Sequence, residues 1–148
     1  MRLSSIPNVR EDEMALRVGE ANFKASIAPW LSVPDGDAAL DFYTRAFGAV
    51  ELEQLPDEAG HIVVAQLALG HARFWLQRDS DSSPAALGGI SVRMVVIVDE
   101  PDGHFARAVA SGATEVASMH NAHGWRTGRV VDPFGHHWEF ATPLVQAR

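Results

Sequence analysis

The chain has 148 residues, of which 47% are hydrophobic and 21% charged, a composition typical of one compact globular domain. Its formal net charge is −7, from 12 basic and 19 acidic residues, without any run of lysine or arginine, which argues against binding to nucleic acid. Cysteine is absent and no apolar run approaches the roughly 20 residues of a membrane-spanning helix, which excludes disulfides and sulfur metal sites and predicts a cytoplasmic protein without a membrane partner.

The first part of the chain changes character near residue 25. Residues 1–24 contain a charged cluster, Arg10 to Glu13, without a clear hydrophobic period, and we expect them to form an N-terminal arm. The following pattern predicts a strand over 27–33, a turn at 34–37, a helix over 38–47 that ends at Gly48, and strands over 61–69 and 72–77 after the tract 51–60.

The second part repeats this order at an offset of 64 or 65 residues. We expect a strand over 92–98, a turn at 99–103, a helix over 104–111, strands over 128–131 and 136–142, and a hairpin turn at 132–135 between the last two. Near-constant self-similarity of this kind indicates a duplicated structural unit. The predicted organisation is one domain over 25–144, with module one over 25–79, a linker over 80–90 and module two over 91–144.

Two strings carry a resemblance to a known family. They are Ala38-x-x-Asp41-Phe42-Tyr43-x-x-x-Phe47-Gly48-Ala49 and Asp132-Pro133-Phe134-Gly135-His136-x-Trp138-Glu139. With them the chain resembles the vicinal oxygen chelate superfamily, which includes glyoxalase I, bleomycin-resistance proteins and extradiol dioxygenases. Trp125-x-x-Gly128 upstream is similar to the PhnB-like subgroup. The resemblance implies an α+β fold of two tandem βαβββ modules that form a curved mixed sheet, and a homodimer.

The resemblance also implies where four metal ligands would project onto the concave face of the sheet. These positions fall on Ala28 and Trp75 in module one and on Arg93 and Glu139 in module two. Only Glu139 has a side chain suited to a divalent metal ion, because alanine, tryptophan and arginine are not ligands of this kind. We therefore expect no metal ion and no other cofactor.

Strand alternation predicts which side chains line the concave face. Besides the four ligand positions, the predicted set contains Trp30, Ser32, Arg73, Gln77, Val95, Ile97 and His137, and Trp125 from a loop. Indole faces stack on planar or cationic ligands, so Trp30, Arg73, Trp75, Arg93 and Trp125 are the predicted ligand-binding residues. The alternative interpretation is a packed sheet in which Arg93 and Glu139 neutralise each other.

The seven histidines offer two clusters. His120 and His123 fall in a stretch that we interpret as a loop, whereas His136 and His137 alternate on a strand and therefore point to opposite faces. His137 shares a face with Glu139, two residues on, and these two form the predicted acid–base pair if the protein is an enzyme.

Three functions are compatible with the sequence. The favoured one is metal-independent binding or sequestration of a small molecule, planar or cationic. The second is a lyase, isomerase or dioxygenase with an atypical metal site that uses Glu139 with His137. The third is a regulatory module in which Trp30 and Trp75 fill the concave face, so that nothing binds there.

Overall fold

The computed structural model describes residues 25–145, which form eight strands, three helices and one 3-10 turn. The helices are α1 (Gly36–Phe47), α2 (Pro84–Leu87) and α3 (Pro101–Ala110), and the 3-10 turn is Ser80–Ser82. The strands are β1 (Trp30–Val33), β2 (Val50–Pro56), β3 (Ile62–Leu69), β4 (Ala72–Arg78), β5 (Arg93–Ile97), β6 (Thr114–Ala122), β7 (Trp125–Val131) and β8 (His137–Pro143).

The strands form two four-stranded mixed sheets with the same internal order. The first sheet runs β1-β4-β3-β2 and the second runs β5-β8-β7-β6. The parallel pairs are β1 with β4 and β5 with β8, and all other neighbouring strands are antiparallel. This repetition confirms the predicted α+β fold of two βαβββ modules.

The core lies under the helices and is shared by both modules. Tyr43 and Phe47 of α1 pack against Trp138 of β8, with a centroid distance of 4.6 Å between the rings of Phe47 and Trp138. Phe74 of β4 and Phe140 of β8 complete this aromatic cluster, and all five side chains are at most 3% exposed. Burial of Leu31, Val33, Trp138 and Phe140 confirms that these residues face the helices, as strand alternation predicts.

Helices α1 and α3 begin two and three residues earlier than the sequence pattern predicts. Helix α1 begins at Gly36 rather than at 38, because the Asp35 side chain caps it by accepting a hydrogen bond from the Ala38 amide at 3.1 Å. Helix α3 begins at Pro101 rather than at 104, since proline at the first helical position costs no hydrogen bond. Gly48 ends α1 with a φ of 70°, as predicted.

Two stretches contain elements that the sequence pattern did not predict. In the predicted linker, the Asp79 side chain accepts hydrogen bonds from the amides of Asp81 and Ser82 and holds a 3-10 turn, after which α2 begins at Pro84. The tract 51–60 contains β2, an edge strand whose residues are all exposed and whose pairing with β3 is interrupted by two irregularities.

The stretch 120–123 is also not a loop. His120 lies within β6, and the turn to β7 is restricted to His123 and Gly124, whose φ angles are 53° and 83°. Two consecutive residues with positive φ make the tight turn that matches the twist of an antiparallel hairpin. Trp125 is consequently the first residue of β7 and not a loop residue.

The predicted arm over 1–24 lies outside the described residues, and the domain and linker boundaries stay predictions. Within 25–145, no helix has the length and apolar character required to cross a membrane.

Candidate functional site

The face of the first sheet that points away from the helices carries two stacked tryptophans. Trp30 of β1 and Trp75 of β4 are direct neighbours in the parallel register, so their indoles meet at a centroid distance of 5.4 Å and an interplanar angle of 24°. Trp30 is 51% exposed, and its Nε1 donates a hydrogen bond to Oε1 of Gln77 at 2.9 Å. We call Trp30, Trp75 and Gln77 the tryptophan platform.

The tryptophan platform is fixed before any ligand arrives. The hydrogen bond to Gln77 and the stack on Trp75 hold the Trp30 ring in place, while half of its surface stays open to solvent. An aromatic ring held in this way can stack on a flat ligand at a small cost in conformational entropy. Arg73, two residues before Trp75, lies exposed on the same face of β4.

The corresponding face of the second sheet carries a cluster of charged side chains. Arg93 of β5 forms an ion pair through Nε with Oε1 of Glu139 on β8 at 3.0 Å, as the alternative interpretation expected. The other oxygen of Glu139 accepts a hydrogen bond from the Thr127 hydroxyl of β7 at 2.6 Å. Arg129 of β7 and His137 of β8 lie on the same face. These five residues are the arginine cluster, and four of them line a cavity of about 220 Å³: Arg93, Thr127, Arg129 and Glu139.

The predicted acid–base pair has a different hydrogen-bonding pattern from the one that catalysis would use. The two oxygens of Glu139 interact with Arg93 and Thr127 rather than with His137. Burial lowers the pKa of the His137 imidazole, and the nearby charge of Arg129 lowers it further. His137 is therefore held neutral near pH 7, and its Nδ1 is buried without a hydrogen-bond partner among residues 25–145.

The residues at the family's metal-ligand positions do not fit a divalent metal ion. Ala28 is exposed and precedes β1, Trp75 belongs to the tryptophan platform, and Arg93 is a cation. Glu139 is the one carboxylate among the four positions. Within the described part of the chain, no three His, Asp or Glu side chains are placed to hold a metal ion.

His120 and Trp125 lie in the second sheet, and His136 directly precedes its strand β8. His120 lines the cavity of the arginine cluster, and its Nδ1 lies 2.7 Å from the Ser118 carbonyl oxygen. Trp125 is 37% exposed at the start of β7, on the face that carries Thr127 and Arg129. His136 is 7% exposed, and its Nε2 lies 2.8 Å from the Ser32 carbonyl oxygen, on the face opposite to His137.

Sequence reasoning missed Thr127, Arg129 and one apolar groove. Thr127 was missed because the strand was expected to begin only at Gly128. Arg129 lay within the expected strand, but strand alternation was not applied to it. The groove has a volume of about 610 Å³ and lies between the β3–β4 hairpin and β5. Its walls combine residues distant in sequence, among them Phe74, Val95 and Ile97, and only the packing of the two modules brings them together.

The chain was compared with known proteins. A family model described as a glyoxalase-like domain matches residues 30–141. A relative in Mycobacterium bovis, named as an uncharacterised protein, is 36% identical over 131 residues, which cover 83% of this chain and 86% of the relative. The crystal structure of TioX from Micromonospora sp. ML1 is 30% identical, with a TM-score of 0.65 over 84% of this chain and 100% of that one.

A second solved structure shows the same fold at lower identity. It is TnmS3, an antibiotic binding protein from Streptomyces sp. CB03234, which is 24% identical, with a TM-score of 0.60 over 82% of this chain and 98% of that one. The order of strands, the match over 30–141 and the relatives at 30% identity or more agree with each other. The chain belongs to the glyoxalase-like domain family.

Proposed function

We propose that the protein binds a planar small molecule on the tryptophan platform, without a metal ion. The observation that carries the proposal is the exposed, hydrogen-bonded Trp30 indole stacked on Trp75. A buried tryptophan would point to core packing, but an indole that is half exposed and held by its neighbours presents a flat apolar surface to solvent. Binding of this kind suits sequestration of a drug or a metabolite in the cytoplasm.

The donor chemistry supports binding without a metal ion. Of the four positions that hold ligands in metal-using members, only Glu139 carries a suitable side chain, and its two oxygens already interact with Arg93 and Thr127. One solved neighbour is named an antibiotic binding protein, although its identity to this chain shows the fold alone. Trp125-x-x-Gly128 and the Asp132 to Glu139 string support placement in the PhnB-like subgroup.

The proposed assembly is a homodimer. Val92, Val95 and Ile97, in and beside the edge strand β5, are 69%, 51% and 62% exposed. Exposed apolar side chains on an edge strand are usually covered by another surface. A second copy of the chain fits this role, because cups of this superfamily are often completed by a partner subunit.

The proposal is tested by fluorescence titration of the full chain with acridine, a neutral planar probe near pH 8, and with proflavine, its cationic analogue. We expect both to bind in the presence of EDTA, and Trp30→Ala to weaken binding about tenfold, since stacking on one aromatic side chain contributes about 1–3 kcal/mol. Val109→Ala removes another exposed apolar side chain, 39% exposed on α3, and should leave the dissociation constants within about twofold of the wild-type values.

Two outcomes would overturn this function. If Trp30→Ala and Trp75→Ala change the stability but no probe binds to the wild-type chain, the module has lost its binding face. If elemental mass spectrometry of the purified protein finds about one equivalent of a transition metal that Glu139→Ala removes, the site is enzymatic, with Glu139 and His137 as the catalytic candidates.

A further inference from the structure

The arginine cluster contains a guanidinium nitrogen that is buried without a partner. Nε of Arg129 has no hydrogen-bond partner among residues 25–145, and the same is true of Nδ1 of His137. A buried donor attached to a charged group is costly unless something accepts its hydrogen bond. The two atoms belong to one patch of the sheet, because Arg129 pairs with Glu139 in the β7–β8 register and His137 precedes Glu139 by two residues.

The charges of the arginine cluster do not balance. Arg93 and Arg129 carry two positive charges, and Glu139 carries one negative charge that is committed to Arg93 and Thr127. One positive charge therefore remains at Arg129, in a chain whose net charge is −7. Among residues 25–145, Arg129 forms no ion pair, whereas Arg126 on the same strand contacts Asp102 through two nitrogens at 2.6 and 3.0 Å.

We infer that the arginine cluster binds the carboxylate group of a small organic acid, with Arg129 as its principal donor. The guanidinium fork matches the two oxygens of a carboxylate, and the adjacent cavity of about 220 Å³ opens between Arg93, Thr127 and Arg129. His137 adds a second donor to the carboxylate when its neutral imidazole carries the proton on Nδ1.

The charge count favours a monoanion. A single negative charge neutralises the cluster, whereas a doubly charged phosphate would leave an excess negative charge beside Glu139. Because the whole chain is acidic, long-range attraction contributes nothing to the capture of an anion. Affinity must come from the direct hydrogen bonds to Arg129.

This site is independent of the proposed function. The arginine cluster lies on the second sheet and the tryptophan platform on the first, and the two share no residue. A chain that fails to bind acridine can still bind a carboxylate, and the reverse also holds, so that the two experiments fail separately.

The test is an NMR titration of the full chain with benzoate, followed through the ¹⁵N–¹H signals of the arginine Nε groups. We expect benzoate to shift the Nε signal of Arg129 and to slow its exchange with water, while benzamide, the uncharged isostere, leaves it unchanged. Absence of a shift with benzoate would show that water already satisfies Arg129, and the inference would be wrong. Tighter binding of inorganic phosphate than of benzoate would overturn the assignment to a carboxylate.

Variants separate a direct contact from a general loss of charge. Arg129→Met should weaken benzoate binding at least about tenfold, and Arg129→Lys, which keeps the charge without the fork, should weaken it less. Arg126→Met is the matched control, since Arg126 lies on the same strand but on the opposite face, and benzoate should bind to it as to the wild-type chain. If Arg126→Met and Arg129→Met weaken binding equally, benzoate responds to net charge and not to this site.

Discussion

Asp132 is a buried carboxylate, 4% exposed, that accepts four hydrogen bonds from its surroundings. Oδ2 accepts from the Tyr43 hydroxyl at 2.5 Å and from Nε1 of Trp138 at 2.9 Å, and Oδ1 accepts from the amides of Phe134 and His136. Tyr43 comes from module one, so Asp132 joins the two modules as well as closing its own turn. Burial beside this carboxylate raises the pKa of the Tyr43 hydroxyl well above 10.0 and keeps it a donor.

We expect Tyr43→Phe to lower the free energy of unfolding by about 1.5–3 kcal/mol, because a hydrogen bond to a charged, buried acceptor is lost. Asp132→Ala should cost more, since it leaves buried donors in both modules without an acceptor. Urea denaturation followed by circular dichroism measures both differences. Asp41→Asn is the control: its exposed ion pair with Arg45 should contribute no more than about 0.5 kcal/mol. Equal losses in Tyr43→Phe and Asp41→Asn would contradict the role of Asp132.

Single residues also mark the limit of prediction from the sequence. The resemblance to the family placed Trp75 and Glu139 on the concave face, and strand alternation from Ala28 added Trp30 to that face. The stack of Trp30 on Trp75 and the ion pair of Arg93 with Glu139 depend on register between strands that are more than 40 residues apart. No local pattern in one sequence fixes such a register.

At the level of elements, an ion pair connects the first turn of α1 to the beginning of β3. Oδ2 of Asp37 lies 2.8 Å from Nδ1 of His61, and its Oδ1 accepts a hydrogen bond from the Ile62 amide at 3.0 Å. The hydrogen bond between these side chains is the main cause that lowers the pKa of Asp37 below 3.8 and raises that of His61 above 6.5. Charged His61 and charged Asp37 therefore both favour the folded chain.

The contribution of this ion pair has a defined pH window. The raised pKa of His61 stabilises the fold fully below 6.5, and this contribution disappears as the pH rises through the folded-state pKa. The lowered pKa of Asp37 stabilises it above 3.8, and this contribution disappears as the pH falls through its folded-state pKa. We expect the urea midpoint of the wild-type chain to exceed that of His61→Gln most near about pH 5, with the difference shrinking by about pH 8.5. His71→Gln, in the exposed β3–β4 turn, is the matched control, since His71 forms no ion pair among residues 25–145.

The elements that sequence patterns missed are those that bury little. Helix α1 and strands β3, β4 and β8 carry a buried stripe or an alternating apolar face, and their predicted bounds differ from the observed ones by at most two residues. Strand β2 buries none of its residues. Its sequence, Val50 to Leu55, therefore lacks the buried apolar face by which the other strands were predicted. The end of strand β6 was interpreted as a loop because His120 and Asn121 are polar. Both side chains are exposed on the strand before the turn at His123.

At the level of the whole molecule, the two modules share one core, but each carries a different group of candidate site residues on its own sheet. The aromatic cluster of Tyr43, Phe47 and Trp138 holds the modules together on the helix side. The tryptophan platform and the arginine cluster lie on two sheets that are not hydrogen-bonded to each other. The sequence predicted one set of cup residues, whereas within the described chain they form two groups. Duplication of a module explains this division, because each copy brings its own exposed face.

The proposed dimer can be tested at β5. We expect the full chain to sediment as a species of twice its 16.1-kDa mass, because Val95 and Ile97 would otherwise leave apolar surface in water. Ile97→Glu introduces a charge where a partner would exclude water, and it should shift the chain to the monomer in analytical ultracentrifugation at micromolar concentration. Val109→Glu changes an apolar side chain that is 39% exposed on α3, and it should leave the dimer intact. A wild-type chain that remains monomeric, or a dimer that Val109→Glu disrupts and Ile97→Glu does not, would contradict assembly through β5.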